Sequence, residues 1–167
     1  IKILSKLLVK HLENQIKHGV DIVQIFDTHA NNMDYLLFDK YFLKEIINIS
    51  AQLKKKYPNI PICLFSKSNH LLKKEIYDYI DCISFNSHIR MKDYLVKVPK
   101  KIFFQGNLDP MRLVVGGNSM TKAIKFILKD MKDKNFIFNL GHGILPQTPI
   151  ENVQLLIETV RQFKVKV

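Results

Sequence analysis

Five short apolar runs, each ending abruptly in small or polar residues and each set off by a helix-length segment, constrain this chain more than anything else in it. They fall at 21–28, 61–65, 81–85, 101–105 and 135–140. A strand buried on both faces is a continuous apolar run, and strands that alternate with helices pair in parallel. The sharpest examples are Phe103-Phe104-Gln105-Gly106-Asn107-Leu108-Asp109-Pro110 and Phe138-Asn139-Leu140-Gly141-His142-Gly143. Each has the form of a buried parallel strand that delivers side chains to a site at its C-terminal end.

The intervening segments have helical spacing. Residues 2–18 place Ile3, Leu4, Leu7, Leu8, Leu12 and Ile16 on one stripe and stop at Gly19. Further helices are expected over 35–57 (ending before Pro58), 69–79, near 90–97, over 119–132 and over 150–164. The result is repeated βα units in an α/β domain, either an open doubly wound sheet or part of a barrel. No Gly-rich phosphate loop follows the first strand, as a dinucleotide fold requires. Polar residues recur instead at the strand ends: Asp27-Thr28, Ser66-Lys67, Asn86, Gln105 with Asn107, and Asn139 with His142. A (β/α)8 barrel gathers such ends around one mouth, so a partial barrel of about five βα units is the expected fold.

At 167 residues and 47% hydrophobic content the chain is sized for one domain with a sizeable core. The formal charge of +11 is carried almost entirely by Lys, with Arg90, Arg112 and Arg161 the only arginines. Nucleic-acid readers interleave arginines and aromatics in a patch, and these lysines are scattered, so no nucleic-acid partner is expected. The densest run, Lys54-Lys55-Lys56, reads as a solvated helix terminus favoured by the helix dipole. Cys63 and Cys82 lie inside apolar runs without metal-ligand spacing and read as buried reduced thiols. No apolar run approaches a membrane span, so no membrane partner is expected. The chain begins at Ile1 with no initiator Met, as a piece of something longer would.

Four segments in order resemble the uroporphyrinogen decarboxylase family: Ile25-Phe26-Asp27-Thr28, Leu64-Phe65-Ser66-Lys67, Gln105-Gly106-Asn107-Leu108-Asp109-Pro110 and Asn139-Leu140-Gly141-His142-Gly143. The last two, each following a strand, make the resemblance specific. It implies residues 1–167 as the C-terminal part of a single (β/α)8 barrel, with about three βα units and the N-terminal part absent. It further implies a cytoplasmic homodimer that decarboxylates the four acetate side chains of uroporphyrinogen III to give coproporphyrinogen III. No metal or organic cofactor is implied, because a protonated pyrrole can itself act as the electron sink a cofactor usually supplies.

By the same resemblance, Thr28 stands where a hydroxyl contacts substrate and His142 where an imidazole contacts a substrate carboxylate. A histidine beside a polyanion has its charged form favoured. Gly141 and Gly143 are expected to free the backbone around His142. Lys67, Gln105, Asn107 and Asp109 are candidates for site support, Asn107 and Asp109 as loop-fixing groups, with Asp109 bonding the turn at Pro110. The family's catalytic Asp, its arginine-rich segment and its substrate-binding Tyr have no match here, so no catalytic residue is expected within these residues. Asn86 stands where the family usually has Asp, and Ser68-Asn69-His70 where a Gly commonly follows. His11 and His18 read as surface residues and His29 as a rim residue, while His70 and His88 lie near the mouth without a matching motif. Two other readings remain: a related barrel methyltransferase with a zinc-activated thiol, or a truncated non-catalytic remnant whose open sheet edges would leave apolar surface exposed.

Overall fold

The computed structural model describes residues 1–67 and 73–163. Helix α1 (Lys2–Lys17) leads to β1 (Val23–Asp27), and a single helical run follows. That run comprises α2 (Tyr35–Leu37), a π-helical stretch (Phe38–Leu43) and α3 (Lys44–Lys56). Then come β2 (Ile62–Ser66), β3 (Cys82–Phe85), β4 (Phe103–Leu108), α4 (Pro110–Val115), α5 (Gly117–Asp130), β5 (Phe136–Leu140) and α6 (Ile150–Gln162). The five strands form one sheet in the order β1-β2-β3-β4-β5, strand order following chain order. The β1–β2 and β4–β5 pairings are parallel. This is the α/β architecture expected from the sequence.

The chain divides into two compact units, one ending at Ile83 and the other beginning at Ser84. In the first, α1 and α3 supply Leu12, Ile46, Ile49 and Leu53 to a core shared with Val23 and Ile25 of β1 and all of β2. β2 and β3 are buried along their whole length, as continuous apolar runs should be. Cys63 and Cys82 are buried free thiols. A hydrogen bond to Cys63 and burial push the Cys82 thiol far above the usual range. In the second unit, Leu108, Leu113, Met120 and Ile124 form a core cluster against which Phe138, Leu140, Val153 and Val160 pack.

Several expectations need correcting. Of the helix expected over 69–79, residues 69–72, His70 among them, lie outside the described residues. Its described remainder holds one 3-10 turn, Lys74–Ile76, which buries Ile76, Tyr77 and Ile80 without a helix. The segment near 90–97 is likewise a single 3-10 turn, Met91–Tyr94. Before the helix expected over 119–132 comes a second one, α4, whose start is written in Asp109-Pro110. The Asp109 carboxylate accepts from the Met111 N–H at 2.9 Å, and Pro110 occupies the first turn, where it forfeits no hydrogen bond.

β5 is not the buried strand its sequence suggested. It is an outer strand whose residues alternate between half-buried and exposed, with Ile137 40% exposed. One of its faces packs on α5 and α6, and an outer strand has a single neighbour. At the other edge, Phe26 of β1 is 67% exposed. In the Lys54–Lys56 run Lys55 and Lys56 are exposed, as a solvated terminus should be, whereas Lys54 is half-buried. Lys54 pairs with Asp81 and donates to the Ile60 carbonyl, and Lys56 pairs with Glu13 at 2.8 Å. Among the described residues no helix is long and apolar enough to cross a membrane.

Ile124 is fully buried in the second core whereas Val96 is 94% exposed. In the full-length polypeptide, Ile124→Ala is expected to lower unfolding free energy by about 2–5 kcal/mol. Val96→Ala should stay within about 0.5 kcal/mol. Urea denaturation followed by circular dichroism checks both.

Candidate functional site

The C-terminal ends of the strands carry the buried polar groups. In the first unit, Asp27 and Ser66 close β1 and β2 as register partners. Ser66 Oγ donates to Asp27 Oδ2 at 3.4 Å, and both side chains are buried. Burial raises the Asp27 carboxyl above the usual aspartate range, opposed by the Ser66 hydrogen bond, a backbone hydrogen bond from Ala30 and the charge of His29. The Lys67 N–H donates to the Asp27 carbonyl at 3.3 Å, extending the pairing past the strands. Thr28 and Lys67 therefore each stand one residue beyond a matched strand end, and both are half-buried. His29 is exposed and leads into the 3-10 turn Ala30–Asn32.

In the second unit, Ser84 and Asn86 follow one another at i, i+2 on β3 and its end, and Gln105 and Asn107 do so on β4. Residues two apart on a strand share a face. Gln105 Nε2 donates to Ser84 Oγ at 3.0 Å. Asn107 Nδ2 donates to the carbonyls of Asn86, at 2.8 Å, and of Ile89, at 2.6 Å. Asn86 Oδ1 in turn accepts from the His88 N–H at 2.9 Å, tying the turn that follows β3. All four side chains are buried. Asn107 is thus a loop-fixing group as expected, though it works from inside β4, which runs on to Leu108 rather than ending at Gln105. Gly106 beside it has φ +129°, and a Cβ there would lie 2.8 Å from the Phe85 carbonyl oxygen.

His142 lies in the exposed loop that follows β5. The flanking glycines act differently from the expectation. Neither Gly141 nor Gly143 has a positive φ. Gly141 is required by proximity: a Cβ there would stand 2.3 Å from the Ser87 backbone nitrogen and 2.8 Å from the Ser87 Cα. The Gly143 N–H donates to His142 Nδ1 at 2.8 Å. A ring nitrogen that accepts from an N–H carries no proton, so the imidazole hydrogen sits on Nε2. The Gly143 bond ties the ring to the backbone of its own loop.

Asp109 accepts from the Met111 N–H at the start of its own helix and lines the same groove as Ser87 and Asn107. That groove, of about 720 Å³ in the second unit, is lined by Arg90, Lys92, Arg112, Phe126 and Asp130 among others. Several of its polar groups have partners there. Arg90 Nε meets Asp130 at 3.2 Å, Lys92 meets the same carboxylate at 3.6 Å, and Arg112 donates to Ser119 at 3.2 Å. Among the described residues no group of three or more His, Cys, Asp or Glu side chains is placed to hold a metal ion.

Sequence reasoning missed Ser84 and Ser87. Ser84 was legible, since its spacing to Asn86 repeats that of Gln105 to Asn107. Ser87 was not, because its part is played by backbone atoms.

A sequence model of the uroporphyrinogen decarboxylase family matches residues 1–163. Relatives named uroporphyrinogen decarboxylase include that of Orientia tsutsugamushi (strain Boryong), 40% identical over 169 residues, covering 98% of this chain and 48% of the relative. That of Rickettsia bellii (strain RML369-C) is 36% identical over 168 residues, covering 99% and 49%. That of Campylobacter jejuni (serotype O:23/36, strain 81-176) is 38% identical over 175 residues, covering 99% and 49%. The chain spans about half the length of the curated relatives it matches.

Because its folded pKa is raised by burial, Asp27 favours the folded state most at low pH. That contribution is lost as pH rises through the folded pKa. Ser66→Ala removes the hydrogen bond that opposes the shift, so the Asp27 titration is expected to move further upward. Carboxyl ¹³C NMR across the acid range reads it; a downward move contradicts this description of the strand end.

Proposed function

The chain belongs to the uroporphyrinogen decarboxylase family, and from that premise we propose that its parent polypeptide converts uroporphyrinogen III to coproporphyrinogen III by removing carbon dioxide from four acetate side chains. The family match over residues 1–163 carries this reading. We read the chain as the C-terminal part of one (β/α)8 barrel, with about three further βα units supplied by the rest of the polypeptide. The parent enzyme is proposed to be a cytoplasmic homodimer.

The reaction needs no bound cofactor in this proposal. Protonation of a pyrrole ring turns the ring into an electron sink. The bond to the departing carboxylate breaks and its electron pair flows into the protonated ring; the exocyclic carbon then takes up a proton, and the ring gives up the proton it first gained, which restores the pyrrole. The acid that starts this sequence is assigned to the part of the enzyme outside these residues, and residues 1–167 alone are proposed to be inactive. Their part is recognition. Thr28 donates its hydroxyl to a substrate carboxylate, and His142 donates Nε2–H to another. Lys67, one residue beyond β2, supplies positive charge at the rim. Gln105, Asn107 and Asp109 support the site through the hydrogen bonds they already make.

Incubating the purified full-length polypeptide with uroporphyrinogen III under reducing conditions, and separating the oxidised porphyrins, tests the activity. Coproporphyrin is the expected product, and unchanged uroporphyrin would overturn the assignment. Thr28→Val, which keeps the side-chain shape and removes the donor, is expected to raise KM roughly tenfold with a smaller change in kcat. An unchanged KM would remove Thr28 from the site.

A further inference from the structure

We infer that Asn107 and Ser87 are positioning residues for His142, acting through the backbone of the turn that follows β3. The inference rests on the reading of His142 as a substrate contact. β5 is an outer strand, joined on one side to β4 and exposed along alternate residues. Beyond the ladder, the Gly141 N–H donates to the Leu108 carbonyl at 2.8 Å, which fixes the loop against β4. That bond alone leaves the loop a hinge at its attachment to one strand end.

The second contact removes the hinge. Gly141 reaches past the end of β4 to rest on Ser87, so closely that a Cβ would fall 2.3 Å from the Ser87 nitrogen and 2.8 Å from Ser87 Cα and Cβ. A backbone packed too closely to admit a Cβ fixes a position only if the surface beneath is itself fixed. Three hydrogen bonds fix it: Asn107 Nδ2 to the carbonyls of Asn86 and Ile89, on either side of Ser87, and the His88 N–H to Asn86 Oδ1. Asn107 is buried at the end of β4 and bridges two carbonyls that flank the contact point. It therefore spans the turn on which Gly141 rests. His142 comes next in the chain, its ring orientation set by the Gly143 N–H. The strand end, the clasped turn and the glycine together place the Nε2–H donor.

A double-mutant cycle on the full-length enzyme separates this from a general structural role. His142→Ala is expected to raise KM roughly tenfold, the loss of one hydrogen bond to a charged group. Asn107→Ala is expected to raise KM by a comparable factor while His142 is present, and to add less than about twofold in the His142→Ala background. Gly141→Ala, which displaces the loop from the opposite side of the same contact, should behave alike and keeps the test open if Asn107→Ala does not fold. Increases in KM that multiply in full across the two sites would overturn the positioning role while leaving His142 as a substrate contact. A His142→Ala enzyme with unchanged KM would overturn both the contact and the positioning built on it.

Discussion

A parallel sheet brings the C-terminal ends of its strands side by side, and at that edge the polar groups must find partners other than further sheet. A buried group left without one costs a free energy comparable to a whole hydrogen bond. This chain answers with pairs between adjacent strand ends: Asp27 with Ser66, Ser84 with Gln105, Asn86 with Asn107. Each pair closes the core and stiffens the place from which the next loop departs. Of the residues proposed for recognition, Thr28 and Lys67 lie just beyond the first of these closures, and His142 lies in the loop that follows β5.

The cost of this arrangement is visible in Asp27. A buried carboxyl whose pKa is raised works against folding at neutral pH, and Ser66, Ala30 and His29 reduce that penalty without abolishing it. The strand end thus carries a group that a purely structural core would replace with an apolar residue.

Much of this was legible in the sequence because it depends on burial over short stretches. The runs at 61–65 and 81–85 are buried on both faces and read as continuous apolar strands, and the stripe over residues 2–18 gave α1 to within a residue. Asp109-Pro110 announced a hydrogen-bonded start, although it was read as a turn rather than as the cap of α4. What failed is what depends on neighbours. β5 has the apolar composition of a buried strand and sits at the edge. The π-helical stretch Phe38–Leu43 keeps the helical stripe nearly unchanged, so periodicity cannot separate it from α-helix. The residues around Ile76 satisfy helical spacing from a 3-10 turn.

The site shows the same division. Thr28 and His142 came from motif resemblance, while the roles of Asn107 and Asp109 followed from side-chain chemistry. The reason for Gly141 did not follow. Glycine suggested conformational freedom, whereas the structure gives it an ordinary φ and a backbone neighbour in van der Waals reach, which only the folded arrangement can reveal. The most direct measurement is a crystal structure of the full-length polypeptide with coproporphyrinogen bound. The account predicts His142 Nε2 within about 2.7–3.2 Å of a ligand carboxylate oxygen, with Nδ1 still accepting from the Gly143 N–H. A ring that meets the ligand through Nδ1, or a ligand bound away from the end of β5, would contradict it.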